Sequence, residues 1–578
     1  MGMFFLIRGE PPAGAKAQAA ARVCAEMGFL QPTILQDDIA TLFIYPKRGQ
    51  ERANVVSLPN GDFVAACGTF LFRQKMGEVA LRTFYEAFDG NFSLLEDSLC
   101  AFALIIKKHG RIFITSDPAG LHHVFRDSNN EIASSSYLVT SSSIEHPTVA
   151  KQSVFEYVFQ GVVSGNATLL TEVSVLPIGA SLVFERGAAN LNAPRLAPPV
   201  EPWTTSRADL LDRGMAELDA YFRAINLLFQ NRITCALSGG FDSRLILAML
   251  RRCGCDPRVY VYGDHNDQDV VLASAMARGE GFRLKILDKG TARIVAVEQF
   301  PALVAHNYLW NDGYLHGGIF HGTTEEAERA DRTAGGAIGL NGGGGEIFRN
   351  FFYLPDGSYS PRQILWSFYS RFDPRICTDR FDTERYYEEL ERKMLDVTGP
   401  MKRFPRPTVE WLYHRFRCRS WDGRTNTVNS QYGFTALPYL QPRITAFAAR
   451  IPIRWKNHGA FEAELIRTAD PRLASYPSTR QHSLAAPPTM KARIGDFTTL
   501  LRPTWLRRFS YRAKRPWMKL ETGPYLARPY VEAALPEGVE AMRAYFELDR
   551  VSDADHMARI LTLEYLIRRL GSGVRLET

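Results

Sequence analysis

The hydrophobic pattern divides the chain into two stretches built differently. Up to about residue 190, short and nearly continuous apolar runs at 4–7, 41–45, 63–72, 100–108 and 111–116 alternate with Gly, Asn and Asp. Runs of this length bounded by turn residues predict buried strands. Helical spacing predicts helices near 77–87 and 153–160, and a helix-like run at 15–29 surrounds Cys24. Residues 191–203 concentrate proline and lack periodicity, which predicts a linker. A helical stretch at 207–229 then leads into an apolar run beginning at Ile233. Beyond Leu237 strand and helix patterns alternate, and from about Arg362 the pattern is mostly helical. No internal repeat is evident. The expected fold class is α/β, with a β-rich unit over 1–195 and an alternating α/β unit with a helical extension over 196–578.

Composition adds little that is unusual. At 578 residues, 46% hydrophobic and 23% charged, the chain reads as a globular protein long enough for two large cores. Its net charge of +7 is spread over 69 basic and 62 acidic residues, and no Lys/Arg block marks a nucleic-acid arm. Residues 502–519 are locally basic with interleaved aromatics, which suits a solvated helical face or a contact with an anionic peptide or nucleotide. The eight cysteines are scattered, and the close pair Cys253 and Cys255 has no second pair at zinc-site spacing. Reduced, structural thiols are expected. The N-terminal apolar run is too short for a signal peptide, and no run approaches the roughly 18 apolar residues of a membrane span. A cytoplasmic protein without nucleic-acid or membrane partners is the expectation.

The candidate chemistry lies in the string ITCALSGGFDSRLILAM, which starts at Ile233. An apolar strand, the turn Ser238-Gly239-Gly240-Phe241-Asp242-Ser243 and an apolar helix follow one another. Glycines allow a tight turn that presents backbone N–H groups to an anion, and the next helix adds its positive N-terminal end. Ser238 and Ser243 can donate to phosphate oxygens. Asp242 would repel a bare phosphate, so a divalent cation between them is implied. The string is neither the GxxxxGK[ST] phosphate loop nor the GxGxxG dinucleotide turn. It reads as a nucleotide pyrophosphate site formed by Leu237, Ser238, Gly239, Gly240, Phe241, Asp242 and Ser243.

This loop resembles the PP-loop of the ATP pyrophosphatases, which cleave ATP between the α and β phosphates and form acyl-adenylates. Residues 102–125 and 141–179 resemble the glutaminase domain of asparagine synthetases, including an RDxxG-like turn and a closing Pro-x-Gly turn. Together these similarities cover most of the chain and place it with the asparagine synthetase superfamily. The resemblance implies an N-terminal αββα domain like those of N-terminal-nucleophile (Ntn) hydrolases, followed by a PP-loop α/β synthetase domain. It also implies ATP and Mg²⁺. A glutaminase of this type needs a cysteine directly after Met1, where this sequence has Gly2, and Cys24 lies within a helix-like run. The resemblance therefore implies a glutaminase-type domain lacking its nucleophile, and glutamine is not expected to supply nitrogen.

Within the synthetase half, Tyr262 and Gly263 would end a strand near adenine. Asp267 and Asp269 would open the next helix, either flanking the nucleotide or capping the helix. The string LNGGGGEIFRNFF resembles the family's second glycine loop, with Gly342 and Gly343 near pyrophosphate and Glu346 as a second magnesium ligand beside Asp242. Where the family has GxExRxPFLD, this chain has Phe434 or Thr435 in place of the acid. Arg480 or His482 falls near the family lysine that stabilises the adenylate, and either could instead be an ordinary surface residue. The departures resemble members whose amine arrives with the substrate, most closely the lasso-peptide cyclases. That resemblance implies a precursor peptide as substrate, adenylated on an Asp or Glu side chain and closed onto its N-terminal amine, with a leader peptidase and a leader-recognition protein as partners. An ammonia-dependent amidotransferase, a β-lactam-synthetase-like ring closure and a non-catalytic ATP-binding scaffold stand as alternatives.

Overall fold

The structure is a computed structural model and describes residues 1–48, 50, 54–194, 196–287, 294–322, 326–479, 483–487, 490–514, 523–571 and 573–577. The first 192 residues build two six-stranded antiparallel sheets. One is centred on Met3–Arg8, which pairs with Ala40–Tyr45 on one side and Ile132–Ser134 on the other. The second is centred on Phe102–Lys108 and Arg111–Ser116. Because side chains alternate along a strand, each strand serves two cores. Phe4 and Leu6 join Leu42, Ile44, Ile105 and Ile114 between the sheets, whereas Phe5 and Ile7 meet Ala17, Ala20 and Cys24 of the helix Ala15–Glu26. On the far side, Val64 and Ala66 pack on Leu81 and Phe84 of the helix Gly77–Ala87. The result is four layers, helix, sheet, sheet and helix. Strands covered on both faces need apolar residues at every position, which is why these runs read as continuous rather than alternating.

The 23-residue helix Arg207–Phe229 is started by a capping box between Ser206 and Asp209. It delivers the chain to a parallel sheet of five strands: β1 (Ile233–Ala236), β2 (Arg258–Tyr262), β3 (Leu284–Leu287), β4 (Ile338–Leu340) and β5 (Phe434–Ala436). Their order is β3-β2-β1-β4-β5, and every pair is parallel. Successive strands move outward from β1 through β2 to β3, then restart on its other side with β4. The order reverses between β1 and β4, and open parallel sheets bind ligands at the carboxyl ends of the strands flanking such a reversal. The loops leaving β1 and β4 are the Ser238 loop and the four-glycine loop.

The two halves share the largest apolar core. Buried Arg419 donates to the carbonyls of Gly120, Gly165 and Leu176. Buried Arg424 pairs at 2.7 Å with Asp312, whose carboxylate also accepts from the N–H groups of Tyr137 and Leu138. Near the C-terminus, Arg575–Leu576 adds a parallel strand to Thr148–Val149. The chain is a mixed α/β protein, and among the described residues no helix is long and apolar enough to cross a membrane.

Candidate active site

The loop after β1 begins with Leu237, which is buried and donates its N–H to Tyr260 O. Helix α1 (Asp242–Arg252) follows, with Ser243 to Leu250 all buried. The Ser238 and Ser243 hydroxyls lie 2.9 Å apart, and Ser243 Oγ also accepts the Ser238 N–H. Gly240 N–H points at Ser238 Oγ at 3.3 Å. A Cβ on Gly239 would lie 2.3 Å from Leu272 Cδ1 and 2.8 Å from Thr479 Cγ2, so any side chain there must displace both. The Gly239 carbonyl accepts from Thr479 N–H and from buried Arg244.

Two expectations need correction here. Gly239 N–H is not free for an anion, because it donates to Asp269 Oδ1 at 2.8 Å. The donors left to a phosphate are the paired hydroxyls and the helix N-terminus. Asp269, in the first turn of helix α2 (Gln268–Glu280), therefore binds the loop backbone, and Asp267 accepts from Asp264 N–H rather than capping that helix. Leu237 and Phe241 are both buried, so they can offer a ligand only backbone groups.

The glycine loop after β4 lies directly on Asp242. A Cβ on Gly345 would come within 1.9 Å of Asp242 Oδ1, one on Gly342 within 3.2 Å of Asp242 Cβ, and one on Gly343 within 2.3 Å of Asp422 Oδ1. Gly344 has φ +83°, in the left-handed region that glycine tolerates best. The loop thus brings Glu346 up to Asp242, and both share the guanidinium of Arg349. Arg349 Nη2 lies 2.8 Å from Asp242 and 3.4 Å from Glu346, and its Nε lies 3.3 Å from buried Glu462. Burial alone would lower the Arg349 pKa, but Asp242, Glu462 and Glu346 outweigh it and hold the guanidinium firmly charged. Tyr413 OH donates to Glu346 Oε2 at 2.9 Å, and Tyr439 OH donates to the Asp242 carbonyl at 2.6 Å.

This donor set fits magnesium. Mg²⁺ takes one or two protein carboxylates and completes its shell with water and substrate phosphates. Asp242 and Glu346 converge on one point, now served by Arg349. Among the described residues, no group of three or more His, Cys, Asp or Glu side chains forms a metal cage.

Asp422, Arg349, Glu462 and Tyr413 were not singled out from sequence. Asp422 is the last residue but one of an eleven-residue π-helical stretch, Tyr413–Gly423, a form that recurs at functional sites. Burial pushes its carboxyl up to about 7, with Glu346 and Asp242 adding to the rise and Arg417 opposing it. Because the folded value lies above the ordinary one, the folded state binds the extra proton. The associated stability is full below about pH 4 and is lost as pH rises through the folded pKa. Asp422→Asn should therefore melt above the parent protein in mildly alkaline buffer, and the difference should close in acid. Melting curves across that range check it; a constant difference would contradict the assignment.

Tyr262 and Gly263 lie at the carboxyl end of β2, beside β1. Gly263 N–H donates to Leu287 O. Phe434 and Thr435, where an acid was expected by resemblance, are part of β5, and Thr435 N–H donates to Thr69 Oγ1. Arg480 and His482 lie outside the described residues. Cys24 is buried with its thiol pushed up to about 12 by desolvation, which leaves it unsuited to nucleophilic work.

No family model matches the chain, and neither does any curated protein. Solved structures that match include glutamine phosphoribosylpyrophosphate amidotransferase from B. subtilis complexed with ADP and GMP. It is 8% identical over 50% of this chain and 67% of that one, at a TM-score of 0.22. Another is a structure of the allosteric regulatory enzyme of purine biosynthesis, 8% identical over 51% and 67%, at a TM-score of 0.23. Likeness at this level carries no argument about activity.

Proposed function

We propose that the chain is an AMP-forming, ATP-dependent amide ligase that closes a macrolactam on a peptide, in the manner of a lasso-peptide cyclase. The observation that carries the reading is the meeting of the Ser238–Ser243 loop and the four-glycine loop at the reversal of a parallel sheet, with Asp242 and Glu346 facing each other across Arg349. Hydroxyl donors, a helix N-terminus and two convergent carboxylates form a pyrophosphate site that needs a divalent cation. Asp242 and Glu346 would hold magnesium, which would neutralise the phosphate charge.

In the proposed reaction a peptide carboxylate oxygen attacks the α-phosphorus of ATP. The bond to the β-phosphate breaks and pyrophosphate leaves. The peptide's N-terminal amine then attacks the activated carbonyl carbon, gives up a proton, and expels AMP. Ser238 and Ser243 orient the pyrophosphate in the first step, and Arg349 keeps Asp242 and Glu346 in register. Holding amine and acyl-adenylate together makes the second step unimolecular.

Two experiments test the reading. Ser238→Ala removes one hydrogen bond to a charged group, worth about 1.5–3 kcal/mol, and should lower kcat/KM by roughly ten- to a hundredfold; an effect below about twofold would contradict Ser238's role. A peptide with a free N-terminus, incubated with ATP and magnesium, should lose one water by mass spectrometry without added ammonia. A product carrying an ammonia-derived amide would favour an amidotransferase, and tight ATP binding with no product would favour a scaffold.

A further inference from the structure

Seven of the fourteen large apolar side chains that stand exposed among the described residues lie within residues 490–509. They come from two consecutive helices, α3 (Met490–Leu501) and α4 (Thr504–Lys514). Met490, Ile494, Phe497 and Leu501 follow the i, i+4, i+7, i+11 spacing that lines up one face of a helix. All four are exposed, Met490 at 68% and Leu501 at 64%. Trp505 and Phe509, also i and i+4, are exposed on α4. Contiguous exposed apolar surface of this kind marks an interaction site, whereas scattered single residues do not.

Charge and position narrow the occupant. Residues 490–514 contain seven basic residues and one acid. That acid, Asp496, is held 2.6 Å from His458 Nδ1, so the patch is left cationic. The same contact ties α3 to the candidate site, because the next residue, Gly459, packs against the Phe241 ring and Arg349 Cδ. Helix α4 is tied down by Arg507, which donates to the carbonyls of Phe352 and Tyr353, just beyond the glycine loop. The apolar shelf is thus fixed beside the pyrophosphate loops rather than on a remote face.

We propose that α3 and α4 form a docking shelf for an acidic, apolar segment of the peptide substrate, outside the residues that react. The inference rests on the ligase reading only in calling that peptide a substrate. An amphipathic segment would lay its apolar side on the exposed stripe, and its carboxylates would meet arginines such as Arg493 and Arg508.

The test uses the full chain and a fluorescein-labelled synthetic amphipathic helix with leucines on one face and glutamates on the other. Fluorescence anisotropy should show binding that weakens with salt. The triple variant Ile494→Asp/Phe497→Asp/Leu501→Asp should weaken binding by at least about tenfold. A peptide with lysines in place of the glutamates should also bind more weakly. Trp505→Glu, on the other helix, repeats the test should the triple variant fail to fold by circular dichroism. Equal binding by parent and variants, no binding by the parent, or preference for the lysine peptide would overturn the proposal. So would binding only to phosphatidylglycerol/phosphatidylcholine vesicles, or self-association that the variants abolish. ATP–pyrophosphate exchange with a peptide carboxylate is measured in parallel. No docking by the parent protein with intact exchange sinks the shelf alone, and absent exchange with docking that the variants lose sinks the ligase reading alone.

Discussion

Asp242→Ala is expected to lower carboxylate-dependent ATP–pyrophosphate exchange by about a hundred- to a thousandfold, the scale seen when one preorganised charge-stabilising group is removed. The residue opens α1 at the pyrophosphate loop, and the glycine loop is shaped around its carboxylate. The fold should survive. Asp242 is only partly buried, and in its absence Arg349 keeps Glu346 and Glu462 as partners. Exchange equal to that of the parent protein, with an unchanged melting temperature, would remove Asp242 from the site.

Arg349→Leu should have the largest effect on stability. Glu462 is fully buried beside Asp242, and Arg349 is its counter-charge. Burial pushes the Glu462 carboxyl well above its ordinary range, Asp242 adds to the rise, and Arg349 pulls it back. Without the cation the buried carboxyl can ionise only unpaired, and above its folded pKa breaking such a pair costs about 3–5 kcal/mol. A raised folded pKa means that stability is retained in acid and lost as pH rises, so the variant's deficit should shrink toward low pH. Adding Glu462→Leu should restore most of the loss, because a buried pair replaced by apolar residues is often neutral. Chemical denaturation of the single and double variants measures both effects; a double variant no more stable than the single would show that Glu462 is not the source.

The parts of the fold legible in the sequence were those set by local pattern. The helix expected at 207–229 is present with those bounds, and so is the strand at 111–116, because both carry uninterrupted periodicity between clear stop signals. The Ser238 loop was legible for the same reason, since strand, turn and helix are contiguous there. β5 was not: three residues within a helical region are too few to show a period, and only pairing with β4 makes them a strand. The charged lining of the site was the least legible part. Arg349, Asp422 and Glu462 come from separate elements and look like surface charges in sequence; what distinguishes them is burial against the two loops, a product of tertiary packing. Asp269 shows the same limit from the other side, since its spacing fits a capping role while its carboxylate goes to Gly239 N–H in the loop after the neighbouring strand.

The central claim, that a peptide carboxylate is activated as an acyl-adenylate, is tested most directly by following the oxygen. A peptide whose acceptor Asp or Glu side chain carries heavy oxygen is turned over with ATP and magnesium, and the nucleotide products are weighed. Activation at the α-phosphorus transfers one carboxylate oxygen to AMP, so labelled AMP, unlabelled pyrophosphate and a peptide lighter by one water are expected. Label appearing in inorganic phosphate alongside ADP, or unlabelled AMP, would contradict the account.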